Sequence, residues 1–375
     1  MNYLEEIRTV TALYYLTWDS EAYSLFQLTF HVLDFFSMSV CESNEKPYSR
    51  SYIHLENCDK NDLKIRIMQW NMLAQGFVPL DEFIYCPCKM LSFERRCKSI
   101  SEEILRYDPD IVCLQEADII KDIVKRLNAS SGRDNYSFCF LPKMSSPCLM
   151  VKNNHGPDGL AVIYRNDNYE LIKSEKIPLN EDNSRYALFC HFIPKDVGHL
   201  NKSCPDIYLI CLHLKAKVYC SEIRRKQGEE LVKYLNSFIK RISSTSASVN
   251  STVFPPIFIC GDFNAEPTEP VINILQNFSL NSNTLYKLTS AYYVAGGCKE
   301  PEFTTWKIRK SKRIVELTED CHTIDYIWYC DRLCTLLGAW SIPSKTEIGP
   351  NGLPSAIFPS DHMNLIADFS LRLCK

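Results

Sequence analysis

From Lys64 to the C-terminus, short apolar runs alternate with segments of helical period. Several of the apolar runs stop on an acid, an amide or a histidine. That alternation restricts the fold more than any other feature of the chain. Runs without polar breaks are strands buried on both faces, and such strands need further layers packed over them. "IRIMQWNML" reads as a strand ending near Asn71, and "DIVCLQE" as one ending at Glu116. Further strands are expected at 137–141, 160–164, 207–214, 257–260, 325–329 and 364–369. "ICGDFNAEP" reads as a strand that breaks at Gly261 and then delivers Asp262 and Asn264. Residues two apart on a strand share a face, so these two would point into one space.

Helices fall between the strands. Ser92 can cap a helix whose apolar face is Cys97, Ile100, Ile104 and Leu105, with Pro109 after its end. Residues 119–128 have helical period, and a long helix over 222–242 carries Ile223, Leu231, Leu235 and Phe238 inward. A shorter helix starts at Thr268 with Pro270 in its first turn. This order predicts one α/β domain over residues 62–375, with residues 1–61 as an appendage. Within the appendage, residues 23–40 read as an amphipathic helix with Leu25, Leu28, Phe30, Leu33 and Phe36 on one face. Gln27, His31 and Asp34 make it a poor membrane span, so no stable membrane insertion is expected. Glu5, Glu6, Asp19 and Glu21 disfavour a mitochondrial presequence and favour the cytoplasm, with the mitochondrion as the alternative.

Composition bounds the partners. A net charge of −3 over 375 residues supplies no global cationic field, so any polyanion contact must be local. The 18 cysteines are scattered singly through apolar runs without a CxxC pair, which reads as buried thiols in a reducing compartment rather than zinc ligands.

The polar residues of interest share one kind of place. Asn71, Glu116, His213, Asp262, Asn264, Asp325, Asp361 and His362 all stand at or just beyond a strand end. Strand ends are where α/β scaffolds aim groups into a shared cleft. Singly, each has a plain structural reading as a turn or core residue. Together, acids, amides and histidines without cysteine ligands suit an oxygen-ligated hard cation, Mg²⁺ first, and phosphoryl transfer to water.

"QWNML", "CLQE", "NNHGPDGLA", "HLKA", "GDFNAEP" and "PSDH" occur in the order of the exonuclease–endonuclease–phosphatase superfamily, which the chain resembles over about residues 62–374. "MQWNMLAQG", "SPCLMVKNNHGPDG", "FTTWKIR", "HTIDYIWY", "IGPNGLPS" and "FPSDH" narrow the resemblance to its deadenylase-like branch. The resemblance implies two packed mixed β-sheets flanked by helices, as in deoxyribonuclease I. It implies Mg²⁺, or Mn²⁺ in its place, held by Glu116 with Asn71 beside it. Asp262 would orient or activate water, and Asn264 and His213 would contact the phosphate. His362 would stabilise the transition state, held by Asp325 and Asp361. Lys143, Lys215 and Arg309 match substrate-binding cations, while Lys217 stands where the branch has an arginine.

Two substrates follow from the resemblance. The first is NADP(H), losing its 2′-phosphate to give NAD(H). The second is RNA, shortened from a poly(A) tail. One basic run, "KIRKSKR", in a near-neutral monomer favours the small molecule over an extended RNA track. Beyond Arg309 that run reads as a solvated loop. A non-catalytic adaptor that binds RNA or protein is the reading from another class, and the retained Glu116, Asp262 and His362 count against it.

Overall fold

The computed structural model describes residues 48–56, 62–78, 83–132, 134–180, 185–195, 205–246, 255–278, 287–310 and 317–371. Nearly all of these fall in one compact unit, Ser49–Lys375. The amphipathic helix expected over 23–40 lies outside the described residues. Among the described residues, no helix is long and apolar enough to cross a membrane.

The strands are β1 (Tyr52–His54), β2 (Leu63–Asn71), β3 (Ile111–Gln115), β4 (Tyr136–Pro142), β5 (Gly159–Arg165), β6 (Tyr169–Pro178), β7 (Tyr186–Pro194) and β8 (Ile207–His213). They continue as β9 (Ile257–Asp262), β10 (Leu288–Ser290), β11 (Thr305–Lys310), β12 (Leu317–His322), β13 (Asp325–Cys330), β14 (Cys334–Trp340) and β15 (Leu365–Leu371). Seven of them form one sheet in the order β1-β14-β15-β2-β3-β5-β4, and six form a second in the order β10-β13-β9-β8-β7-β6. Both sheets are mixed, because β2–β3 and β8–β9 are parallel while their neighbours are antiparallel.

Strand periodicity explains the layers. On β2, Ile65 and Ile67 enter the core between the sheets, while Met68 and Trp70 face the helix layer outside the first sheet. On β9, Phe258 and Cys260 face inward and Ile257 and Ile259 outward. Helices α1 (Phe93–Tyr107) and α2 (Ile120–Ser131) cover the first sheet through Cys97, Ile100, Ile104, Ile123 and Leu127. Helices α3 (Ser221–Ser246) and α4 (Pro270–Gln276) cover the second through Leu231, Leu235, Phe238 and Ile272. The result is the expected pair of mixed sheets between helix layers.

Several details differ from the sequence reading. β1 lies inside the expected appendage yet pairs with β14, and Arg50 is buried with its Nη1 donating to the Asn364 carbonyl at 3.0 Å. The packed domain therefore starts before residue 62. Ser92 does cap α1, accepting from the Arg95 N–H. Ile223 is 42% exposed, because it faces a cleft instead of the core, while its neighbour Arg224 is buried. β9 does not break at Gly261. The glycine is a point of close approach, since a Cβ there would stand 2.2 Å from the Leu212 carbonyl oxygen.

Candidate active site

The inner faces of five strands run from apolar to polar in the same direction. Ile65 and Ile67 are followed by Gln69 and Asn71, Ile111 and Cys113 by Gln115, and Leu209 and Cys211 by His213. Phe258 and Cys260 lead to Asp262, and on the antiparallel β13 Tyr329 and Ile327 lead back to Asp325. All the polar termini therefore gather at one end of the layer between the sheets. Register tightens the group: Asn71 pairs with Gln115, and Asp262 pairs with His213 on one side and Asp325 on the other.

Glu116 and Asn264 turn out of their strands with φ of 56° and 50°. Left-handed backbone is costly for residues with a Cβ and persists only where the surroundings impose it. In this site it turns Glu116 toward the Asn71 amide and Asn264 Nδ2 toward the Leu214 carbonyl. Asn71 donates from Nδ2 to Glu116 Oε1 at 3.2 Å and to Asp262 Oδ2 at 3.0 Å, bridging the sheets. Asp262 Oδ1 accepts the Asn264 N–H at 2.8 Å, and Asp262 Oδ2 lies 3.4 Å from His213 Nε2 and 4.0 Å from His362 Nε2.

His362 is held from behind. Its Nδ1 pairs with Asp325 Oδ2 at 2.9 Å, and its backbone carbonyl accepts the Trp70 indole N–H at 2.9 Å. Asp325 also accepts from Thr304 Oγ1 at 2.7 Å and Gln69 Nε2 at 3.1 Å. Burial alone would strip the proton from His362, but Asp325 and Asp361 outweigh it and raise the imidazolium to about 9. Asp361 in turn pairs with Lys307 Nζ at 2.6 Å. Burial works against the Asp361 carboxylate, yet Lys307 and His362 hold it well below the usual range.

Glu116 has the opposite balance. Burial pushes its carboxyl up, His213 only partly opposes this, and Asp361 adds to it. Its direct partners are the Ala74 N–H at 3.1 Å and the Asn71 amide. A half-buried carboxylate without an ion-pair partner among the described residues suits a hard divalent cation, while Asn71 beside it turns Nδ2 to Glu116 and Oδ1 to the Leu73 N–H. Asp262, Asp325 and His362 also bring ligand atoms within 4.8 Å of one another. There, however, Asp325 and the His362 Nδ1 are already committed to each other, which suits a histidine being oriented better than a cation being bound.

A cleft of about 790 Å³ opens beside His213, lined by Lys143, Lys215, Asp158, Lys176, Arg185 and Tyr186 among others. Lys143 and Lys215 thus stand where substrate-binding cations were expected. Lys143 is also paired with Asp158 at 3.3 Å. Lys217 is exposed on a backbone of φ 91° and is not among the residues lining the cleft. Arg309 reaches Asp320 at 3.0 Å across the β11–β12 hairpin, with its charge still felt by Asp361. The sequence reading missed Lys307, two residues from Arg309 on the same face of β11. It also missed Arg96. This buried guanidinium donates to the carbonyls of Met72, Leu73 and Pro359, tying the loop after Asn71 to the loop before Asp361. No ion-pair partner of Arg96 is found among the described residues, and burial lowers it to about 10.

Comparison with known proteins agrees with this fold. The endonuclease/exonuclease/phosphatase family model matches residues 68–362. Nocturnin of Xenopus laevis is 38% identical over 343 residues, covering 90% of this chain and 77% of that protein. The human nocturnin catalytic domain, solved with a bound sulfate anion, superposes with a TM-score of 0.62 at 31% identity, covering 86% of this chain and 98% of that one. The Ccr4 3′-5′-exoribonuclease subunit of Debaryomyces hansenii is 25% identical over 347 residues, covering 84% of this chain and 40% of that protein.

Proposed function

Because this chain belongs to the endonuclease/exonuclease/phosphatase family, in its nocturnin branch, we propose that it is a Mg²⁺-dependent phosphohydrolase that removes the 2′-phosphate of NADP(H). The observation that carries the reading is the convergence of Glu116, Asp262, His213 and His362 on one space at the mouth of a cationic cleft. A sulfate in the nocturnin structure is a tetrahedral dianion like phosphate, which fits a phosphoryl site. The cleft is of the size that encloses a compact ligand, about 300–1,000 Å³.

Glu116 would hold the cation, with Asn71 beside it fixing the carboxylate through Nδ2. When bound, it would neutralise charge on the phosphoryl oxygens. The chain's own groups account for the rest. Asp262 is buried and fixed through both oxygens, so it can orient a water and take its proton with little reorganisation. His362 carries its proton at neutral pH and presents Nε2 to the side where negative charge grows. Asp325 and Asp361 maintain that proton without entering the reaction. His213 lies beside Asp262, Asn264 fixes Asp262 through its backbone N–H, and Lys143 and Lys215 supply charge in the cleft.

A poly(A) exoribonuclease is the second reading, and similarity to the Ccr4 subunit supports it. Both reactions displace an oxygen from phosphorus, so the site chemistry serves either. The test is phosphate release from NADPH, with Mg²⁺ and with EDTA, beside an oligoadenylate ladder using one enzyme stock. Mg²⁺-dependent phosphate release with intact RNA is the expected result. RNA shortening without phosphate release would replace the first reading by the second. Silence on both substrates would leave the adaptor.

A further inference from the structure

We propose that the far wall of the cleft, built by Lys176, Arg185 and Tyr186, is a second anion subsite that holds a phosphoryl group of the substrate remote from the one hydrolysed. The inference rests on the phosphohydrolase reading and adds to it what the other end of the substrate must carry.

The strand ends form a row across the second sheet. Asp262 pairs with His213. Leu188 pairs with Cys211, so two residues on, by the same register, Tyr186 falls beside His213. Tyr186 pairs with Pro178, and Lys176 lies two residues back on the same face of β6. From Asp262 to β6 is three strand spacings, about 14 Å. No single phosphoryl group spans that row. A ligand that touches both ends is extended, and its charge is divided between them.

Charge in the cleft is unevenly compensated. Asp158 is the one acid among its described lining residues, and it is occupied by Lys143 at 3.3 Å and by the Ser146 hydroxyl. Neither Lys176 nor Arg185 forms an ion pair among the described residues. Lys176 Nζ sits 4.8 Å from the centre of the Tyr186 ring, which holds the ammonium at the wall through the ring quadrupole and leaves its donors to a ligand. Arg185 adds a planar fork suited to a phosphate or diphosphate. This pairing of a fork and an ammonium matches a diphosphate bridge between two nucleosides. A nucleoside monophosphate whose one phosphate lies beside Asp262 has no second charge to place there.

The test compares a long and a short ligand. KM and kcat for NADPH, and the inhibition constant of adenosine 2′-monophosphate, are measured on the wild type, Arg185→Ala, Arg185→Lys and Lys176→Ala, with melting temperature as a control. We expect Arg185→Ala to raise the KM for NADPH about tenfold and Lys176→Ala a few-fold, with kcat, melting temperature and the monophosphate constant unchanged. Arg185→Lys should recover part of the loss. If the variants move both ligands together, or neither, the subsite is wrong while the hydrolase reading stands. If the wild type releases no phosphate from NADPH, the hydrolase reading fails and the subsite falls with it.

Discussion

Asp361 and Glu116 are acids in one cluster with opposite charge balances. Asp361 has its own cation, Lys307, at 2.6 Å and is held below the usual carboxylate range. Glu116 has a backbone N–H and an amide and is pushed above its range by burial. Withdrawing a charge from water is costly unless a partner compensates it. The protein supplies that partner on the His362 side and leaves it out on the Glu116 side. The difference indicates where an added cation belongs, and why Lys307 and Glu116 should respond in opposite ways to removal.

The largest effects test the uncompensated half. Glu116→Gln should lower kcat about 10³-fold or more, which is about 4 kcal/mol of barrier, while leaving the melting temperature unchanged or higher. Asp262→Ala should cost a similar factor in a folded protein, checked by circular dichroism beside the rate. Near-wild-type rates in either variant would reject cation binding by Glu116 or water activation by Asp262. Lys307→Met should do the reverse on the compensated half. It leaves Asp361 buried without its partner and should cost about 3 kcal/mol of stability in denaturant titration. Adding Asp361→Asn should recover much of that loss. A Lys307→Met protein of wild-type stability would show that the ion pair contributes nothing.

A smaller effect lies in pH. His362 is raised from the ordinary 6.5 to about 9, so the imidazolium is present at neutral pH and is lost as pH rises through about 9. Its share of stability is likewise complete below the unfolded value and disappears through the folded one. The rate should therefore fall on the alkaline side near pH 9, and His362→Asn should abolish that limb along with most of the rate. A wild-type rate that stays flat to pH 10.5 would contradict a protonated His362. The smallest effect is at the rim. Lys217→Arg should change KM by no more than about threefold, because the exposed side chain gains a fork but is not among the residues lining the cleft. A tenfold gain would place residue 217 in the substrate site.

Much of the site is legible from residue order. The strands that carry Asn71, Glu116, His213, Asp262 and Asp325 are long apolar runs, and their period of two sets which residue follows which into the site. What residue order hides shares a physical cause. β6 and β7 flank the cleft, and β6 is an exposed edge strand rich in Lys and Glu, with no apolar run to announce it. Arg96 sits in "FERRCK", where nothing local separates a fully buried guanidinium from that of its half-buried neighbour Arg95. Lys307 is within reach of the same logic that links Asp262 to Asn264, since residues 307 and 309 share a strand face. The density of positive charge in that run suggests a loop and masks its strand period.

The most direct test is the position of the cation. Mn²⁺ binding, followed by electron paramagnetic resonance or calorimetry, would be compared in the wild type, Glu116→Gln and Asp325→Asn. If the cation belongs to the uncompensated half, Glu116→Gln loses binding and Asp325→Asn keeps it while losing activity. If Asp325→Asn abolishes binding and Glu116→Gln retains it, the cation sits among Asp262, Asp325 and His362, and the division of labour between the two halves of the cluster is wrong.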